Sequence, residues 1–177
     1  MRLFVAVALP DIVARALLSL ENGVPGARWQ TREQLHLTLR FIGEVDGARL
    51  AAIDDALSQV AAAPFTLTLK GVGCFGGKTP RALWAGAAEP EPLCHLNRKI
   101  ESAMQRLGLP PDARKFSPHV TLARLKGTPR GAAMDFLAER ALFAAPSFEA
   151  ASFALYSSLT APAGSRYTVE REYPLRG

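Results

Sequence analysis

Apolar and polar residues alternate along this chain with two different periods. Leu35-His36-Leu37-Thr38-Leu39 has a period of two, which puts the leucines on one face of a strand and His36 and Thr38 on the other. The same reading places strands at 3–9, 35–42, 65–72, 82–86, 119–125, 148–157 and 167–173. Between them the period lengthens to that of a helix. Asp46 is a good N-cap, followed by Leu50, Ile53, Leu57 and Val60 at helical spacing. Leu93, Leu96, Ile100, Met104 and Leu107 mark a stripe on a helix over about 92–107, and a further helix covers 11–20. After the breaker-rich stretch at 127–130, Met134, Leu137 and Ala141 repeat every three to four residues. The order is β-α-β-α-β, twice, with one strand left to close the chain. The Gly/Pro-rich loop between 65–72 and 82–86 leaves no room for a crossover helix, so antiparallel hairpins and an α+β class are expected.

The two halves share more than their order. His-x-Thr-Leu occurs at 36–39 and again at 119–122, so His119 lies 83 positions after His36. The same offset carries Phe65 to Phe148 and Trp84 to Tyr167, each in a β-like run. The expectation is an internal repeat, roughly 1–80 and 81–177, forming two pseudo-twofold lobes of antiparallel sheet with helices packed outside. No linker or low-complexity stretch separates the halves, so residues 1–177 read as a single bilobal domain with a cleft between its lobes.

Composition narrows the picture only slightly. With 49% hydrophobic and 21% charged residues the chain has a globular balance, and a net charge of +5 is consistent with an anionic partner without naming one. The apolar start at 3–9 runs straight into Pro10 and Asp11 with no cleavage-site pattern. No apolar stretch approaches the roughly 18 residues a membrane span needs. A cytoplasmic protein is the default expectation. Cys74 and Cys94 fall outside any metal or disulfide pattern and are expected to be free thiols.

Chemistry enters with the doubled motif. His36 and Thr38 share one strand face, as do His119 and Thr121, and a pseudo-twofold axis between the lobes would bring all four into one polar pocket. Two imidazoles titrate near neutrality, so one can hold a proton while the other takes one, and the threonine hydroxyls can donate to anionic oxygens. That set suits hydrolysis of a phosphodiester. Buried core histidines would be the bland reading, but a fully buried strand is apolar on both faces, and here both copies alternate. No aspartate, glutamate or cysteine stands at ligand spacing near either motif, so no metal is expected. His95 lies opposite the apolar stripe of its helix and reads as a surface residue. Arg40 shares strand parity with His36 and Thr38, which makes it either a substrate contact or a solvated strand-edge charge. Phe41 and Tyr167 could stack on a base, although Phe41 shares parity with Leu37 and Leu39 and packing is the expected role for both.

These motifs resemble those of the two-histidine (2H) phosphoesterases, and specifically the RNA 2′,3′-cyclic phosphodiesterases of the 2′-5′ RNA ligase family. The resemblance rests on 2–6 (RLFVA), 36–45 (HLTLRFIGEV), 80–84 (PRALW), 116–124 (FSPHVTLAR) and 155–158 (LYSS). It implies an enzyme that hydrolyses RNA 2′,3′-cyclic ends to 2′-phosphomonoesters, with His36 as proton donor, His119 as proton acceptor and Thr38 and Thr121 on the phosphate. Weak reverse 2′-5′ ligation is also implied. It further implies a substrate contact from Arg124, five residues after the second histidine. Strand parity turns Arg124 away from Thr121 unless a bulge intervenes. No cofactor is expected, the implied partner is RNA with a cyclic end, tRNA fragments included, and a monomer without an obligate protein partner is the expectation for the chain itself. Two rival functions remain open at this point: a phosphodiesterase for small cyclic nucleotides or cyclic ADP-ribose derivatives, and a non-catalytic RNA-end binding module.

Overall fold

A computed structural model describes residues 1–177. The elements in chain order are β1 (Arg2–Ala8), α1 (Asp11–Leu18), β2 (Ala27–Trp29), a 3₁₀ turn (Arg32–Gln34), β3 (His36–Glu44), α2 (Gly47–Ser58), β4 (Phe65–Leu67), β5 (Leu69–Phe75), β6 (Ala82–Ala87), α3 (Glu91–Arg106), β7 (His119–Leu125), α4 (Arg130–Glu139), β8 (Phe148–Ala150), β9 (Ser152–Ala161) and β10 (Gly164–Pro174). The class is α+β, with every registered strand pair antiparallel. Two expected strands are each divided: 65–72 breaks at Thr68 and 148–157 at Ala151. The detached pieces, β4 and β8, pair with each other as a separate two-stranded ribbon. The short β2 and the 3₁₀ turn carry too few residues for any periodicity to reveal them.

The main sheet runs β10-β9-β1-β3-β7-β6-β5, with β2 beside β7. At its middle, β3 and β7 share a single registered pair, Leu37 with Val120. The sheet is therefore nearly two sheets, hinged where the two His-x-Thr strands abut. The lobes are not the sequence halves. β5 comes from the first half but pairs with β6, while β9 comes from the second and pairs with β1. Each half thus lends a strand to the other's lobe.

One sheet face carries the helices. Asp46 accepts the Arg49 amide at 2.8 Å and starts α2 as its sequence indicates. Leu93, Leu96, Ile100 and Met104 of α3 are fully buried against the sheet, and His95 is exposed on the far side of that helix. Leu3, Val5, Val7, Leu37, Leu39, Val120 and Leu122 face the same core. The other sheet face is nearly bare of apolar cover, apart from a small cluster of Phe4, Ala6, Ala154 and Tyr156 with Tyr167 packed on it. That uncovered face holds the site. No helix is long and apolar enough to cross a membrane, and Cys74 and Cys94 are free and half-buried.

Candidate functional site

Leu37 and Val120 point into the core as a registered pair, so the residues on either side of them, His36 and Thr38 on β3 and His119 and Thr121 on β7, turn to the uncovered face together. All four are half-buried. The structure therefore brings together the four side chains named from the motif.

Each imidazole is tied down in the same way. Nδ1 of His36 lies 2.8 Å from the carbonyl of Gln34, and Nδ1 of His119 lies 2.7 Å from that of Ser117, in both cases two residues back. A carbonyl can only accept, so Nδ1 carries the hydrogen and donates. Nε2 is left free on both rings, as a lone pair when neutral and a donor when protonated. The Gln34 carbonyl is itself positioned by the 3₁₀ turn, whose capping box joins Thr31 to Gln34, with the Gln34 side chain accepting the Thr31 amide at 3.0 Å.

The rings stand in aromatic surroundings. His36 packs at 4.8 Å between centroids on Phe4 and meets Tyr167 edge-on at 5.1 Å. His119 meets Phe75 edge-on at 4.9 Å, with Trp84 at 6.2 Å. Trp84 lies flat over Gly73, where a Cβ would come within 2.0 Å of the indole, so only glycine fits there. Burial in this setting disfavours the imidazolium, and the positive charge of Arg124 adds to it. Together they bring His36 down to about 4 against its backbone hydrogen bond, with His119 contributing further repulsion. His119 is lowered for the same two reasons, burial first.

Arg124 thus acts on both imidazoles, and the local backbone explains how it can. On β7, Ala123 pairs with Leu83 but Thr121 pairs with Trp84, leaving Leu122 as an extra residue in a bulge. Parity shifts by one, Leu122 and Ala123 are both buried, and Arg124 returns to the face of His119 and Thr121. The orphaned Leu122 carbonyl accepts the Gln30 amide at 2.9 Å.

The equivalent bulge on β3 overturns the expectation for Arg40. Val5 pairs with Arg40 but Ala6 pairs with Thr38, so Leu39 is the extra residue, its carbonyl taken by Asn97 Nδ2 at 2.8 Å. Arg40 consequently turns to the helix side and is only 6% exposed. There it binds Glu101 of α3 at 2.5 Å and donates to the carbonyls of Pro110, at 2.6 Å, and Phe41. It is neither a substrate contact nor a solvated charge. The same shift throws Phe41 out: it is 60% exposed, 6.0 Å from Phe4, rather than packed with Leu37 and Leu39. Tyr167 is likewise on the cleft face, half-buried beside His36. The sequence pattern did not mark Phe4, Phe75, Trp84 and Gln34 as residues of the site. For Phe4 a signal existed, since Leu3, Val5 and Val7 share one parity and Phe4 and Ala6 the other, but an unbroken apolar run hides alternation. No group of three or more His, Cys, Asp or Glu side chains is arranged to hold a metal ion.

The sheet hinged at paired His-x-Thr strands, with two anchored imidazoles presenting Nε2 to one cleft, defines a phosphoesterase of the two-histidine class. More narrowly, the chain belongs to the 2′-5′ RNA ligase superfamily, whose family model matches residues 13–161. It is 33% identical over 171 residues to an RNA 2′,3′-cyclic phosphodiesterase of Archaeoglobus fulgidus, covering 94% of this chain and 96% of that one. Identity to a protein of the same name from Geobacillus stearothermophilus is 38% over 128 residues, 68% of this chain but 41% of the relative's length. The crystal structure of TT0787 of Thermus thermophilus superposes with a TM-score of 0.84 at 32% identity, covering 100% of this chain and 99% of that one.

Proposed function

We propose that this chain hydrolyses RNA 2′,3′-cyclic phosphate ends to 2′-phosphomonoesters, as a monomer and without metal or cofactor. The observation that carries the reading is the convergence of two Nδ1-anchored imidazoles, one from each lobe, on one cleft. The names of the relatives from two organisms agree with it. In the scheme, His119 Nε2 takes a proton from water as the water oxygen attacks phosphorus. The bond from phosphorus to O3′ breaks, and His36 Nε2 gives its proton to O3′. Thr38 and Thr121 hydroxyls donate to the non-bridging oxygens, with Arg124 balancing the charge that builds there. With a 5′-hydroxyl in place of water as the nucleophile, the same proton transfers in the same direction make a 2′-5′ linkage. The whole of 1–177 acts as one domain in this reading, and the natural substrates are RNA fragments in the cytoplasm, those from tRNA included.

The electrostatics add a condition. His36 holds a proton less readily than an ordinary imidazole, and in the free enzyme it is neutral at pH 7. Its role as acid therefore depends on the anionic phosphate, which favours the imidazolium once bound. Product analysis on a short RNA ending in a 2′,3′-cyclic phosphate tests the scheme. The expected product is the 2′-phosphomonoester alone, made equally well after dialysis against a chelator. A 3′-phosphate product, or activity lost to chelator and restored by a divalent metal, would overturn it. Tight binding with no turnover would make the protein a binding module, and a strong preference for small cyclic nucleotides would assign it to that other class of enzyme.

A further inference from the structure

β2 runs along β7 where β3 has splayed away, and this short strand sets Arg28 directly opposite Arg124. Ala27 and Trp29 are half-buried, with Trp29 against Phe136 of α4 at 5.7 Å, so the residue between them turns to the cleft face. Two exposed arginines thus stand side by side at the mouth of the cleft. Like charges directly opposed across a strand pair destabilise a sheet. Neither guanidinium reaches a carboxylate: the ion pairs of the fold involve Arg32, Arg40, Arg98, Arg140, Arg171 and the N-terminus instead. The unneutralised pair calls for a ligand with more than one negative charge.

The two arginines are not equivalent. Arg124 stands on β7 itself, on the face of His119 and Thr121, whereas Arg28 stands on the neighbouring strand β2, one strand further from the two imidazoles. Arg28 reaches outward to the turn between β9 and β10. Its Nη2 lies 2.9 Å from where a Cβ on Gly164 would stand, and Gln34 Nε2 is equally close to that point. Gln34 Nε2 also donates to the Ser165 carbonyl at 3.0 Å, so the turn is pinned to the residue whose own carbonyl anchors His36. Gly164, at φ +118°, lets the guanidinium and the turn meet there. A cation therefore stands one strand out from Arg124, beside a turn that belongs to the other lobe.

Resting on the function proposed above, we infer that Arg28 and Arg124 form a two-phosphate site, in which Arg124 serves the cyclic end and Arg28 binds the next phosphodiester upstream. A nucleoside 2′,3′-cyclic phosphate has no such group, so Arg28 is the residue that makes the enzyme prefer an RNA chain over a mononucleotide. The test measures kcat/KM for a short oligoribonucleotide with a 2′,3′-cyclic end and for the matching nucleoside 2′,3′-cyclic phosphate, in wild type, Arg28→Gln and Arg28→Lys. The ratio of the two should fall about tenfold in R28Q, through KM, and be partly restored in R28K. Loss of one phosphate contact should also lower the salt slope of log KM for the oligonucleotide by about 0.7. An unchanged ratio overturns the site, whether both substrates suffer alike or neither does. Wild-type protein that turns over neither substrate overturns the phosphodiesterase reading itself, and the site with it.

Discussion

Nδ1 of His36 and of His119 each donates to the carbonyl two residues back, so on the proposed scheme alanine at either position removes a proton carrier while leaving strand and core intact. Each substitution should lower kcat by about 10² to 10⁴ with the thermal midpoint little changed. Burial sets the pH behaviour. Burial brings His36 to about 4 and also lowers His119 below its ordinary 6.5, so the singly protonated free enzyme that the proposed scheme requires forms on the acid side of pH 6.5. kcat/KM should trace a bell with its maximum on the acid side of pH 6.5, and kcat a bell shifted upward by the bound anion. A kcat/KM optimum above pH 7 would contradict this arrangement. The same depression bears on stability. As pH falls below 6.5 the unfolded chain takes up a proton that folded His36 refuses until about 4, so its stabilising effect, complete above 6.5, drains away across that window. The full difference is about 3 kcal/mol before discounting for water at a half-buried ring. Urea unfolding at pH 7 and 4.5 should show His36→Asn losing less stability than wild type.

Bulges on β3 and β7 do for each strand what side-chain chemistry alone cannot. Inserting one residue after His-x-Thr lets two consecutive side chains, Leu39 and Arg40 or Leu122 and Ala123, face the core, and returns the following residue to the cleft. The equivalent outward positions are then Phe41 and Arg124, an aromatic on one lobe and a cation on the other. Arg40 belongs to the frame as a result. Arg40→Ala would leave Glu101 without its ion partner and the Pro110 carbonyl without a donor, costing about 3 to 5 kcal/mol. Chemical denaturation should show that loss. Normal stability with a raised KM would return Arg40 to the cleft. Asn97→Ala should act in the same direction more weakly, by about 1 to 3 kcal/mol, because it orphans the Leu39 carbonyl that the bulge exposes.

Each half of the sequence contributes strands to both lobes, which is the basis for expecting a single domain. β5 completes the lobe of β6 and β7, while β9 and β10 complete that of β1 and β3. Tyr173 of β10 donates to Asp54 of α2 at 2.7 Å, and Arg171 reaches the same carboxylate. Fragments 1–80 and 81–177 should each fail to fold alone by circular dichroism, and regain structure when mixed; a half that folds by itself would argue against a single domain. The offset of 83 positions, read from His36 and His119, also separates the starts of β4 and β8 and of β5 and β9. Local pattern settled the order of the longer elements, the doubled motif and the sharing of a face by His36 with Thr38 and His119 with Thr121, because alternation and helical spacing are written in neighbouring residues. Whether the two pairs would meet, which way Arg40, Phe41 and Arg124 would turn, and that a three-residue strand would set Arg28 opposite Arg124 were decided only in three dimensions. Bulges and strand partners depend on hydrogen bonds to distant segments, such as Asn97 to Leu39 and Gln30 to Leu122, and those leave no periodic mark on the chain.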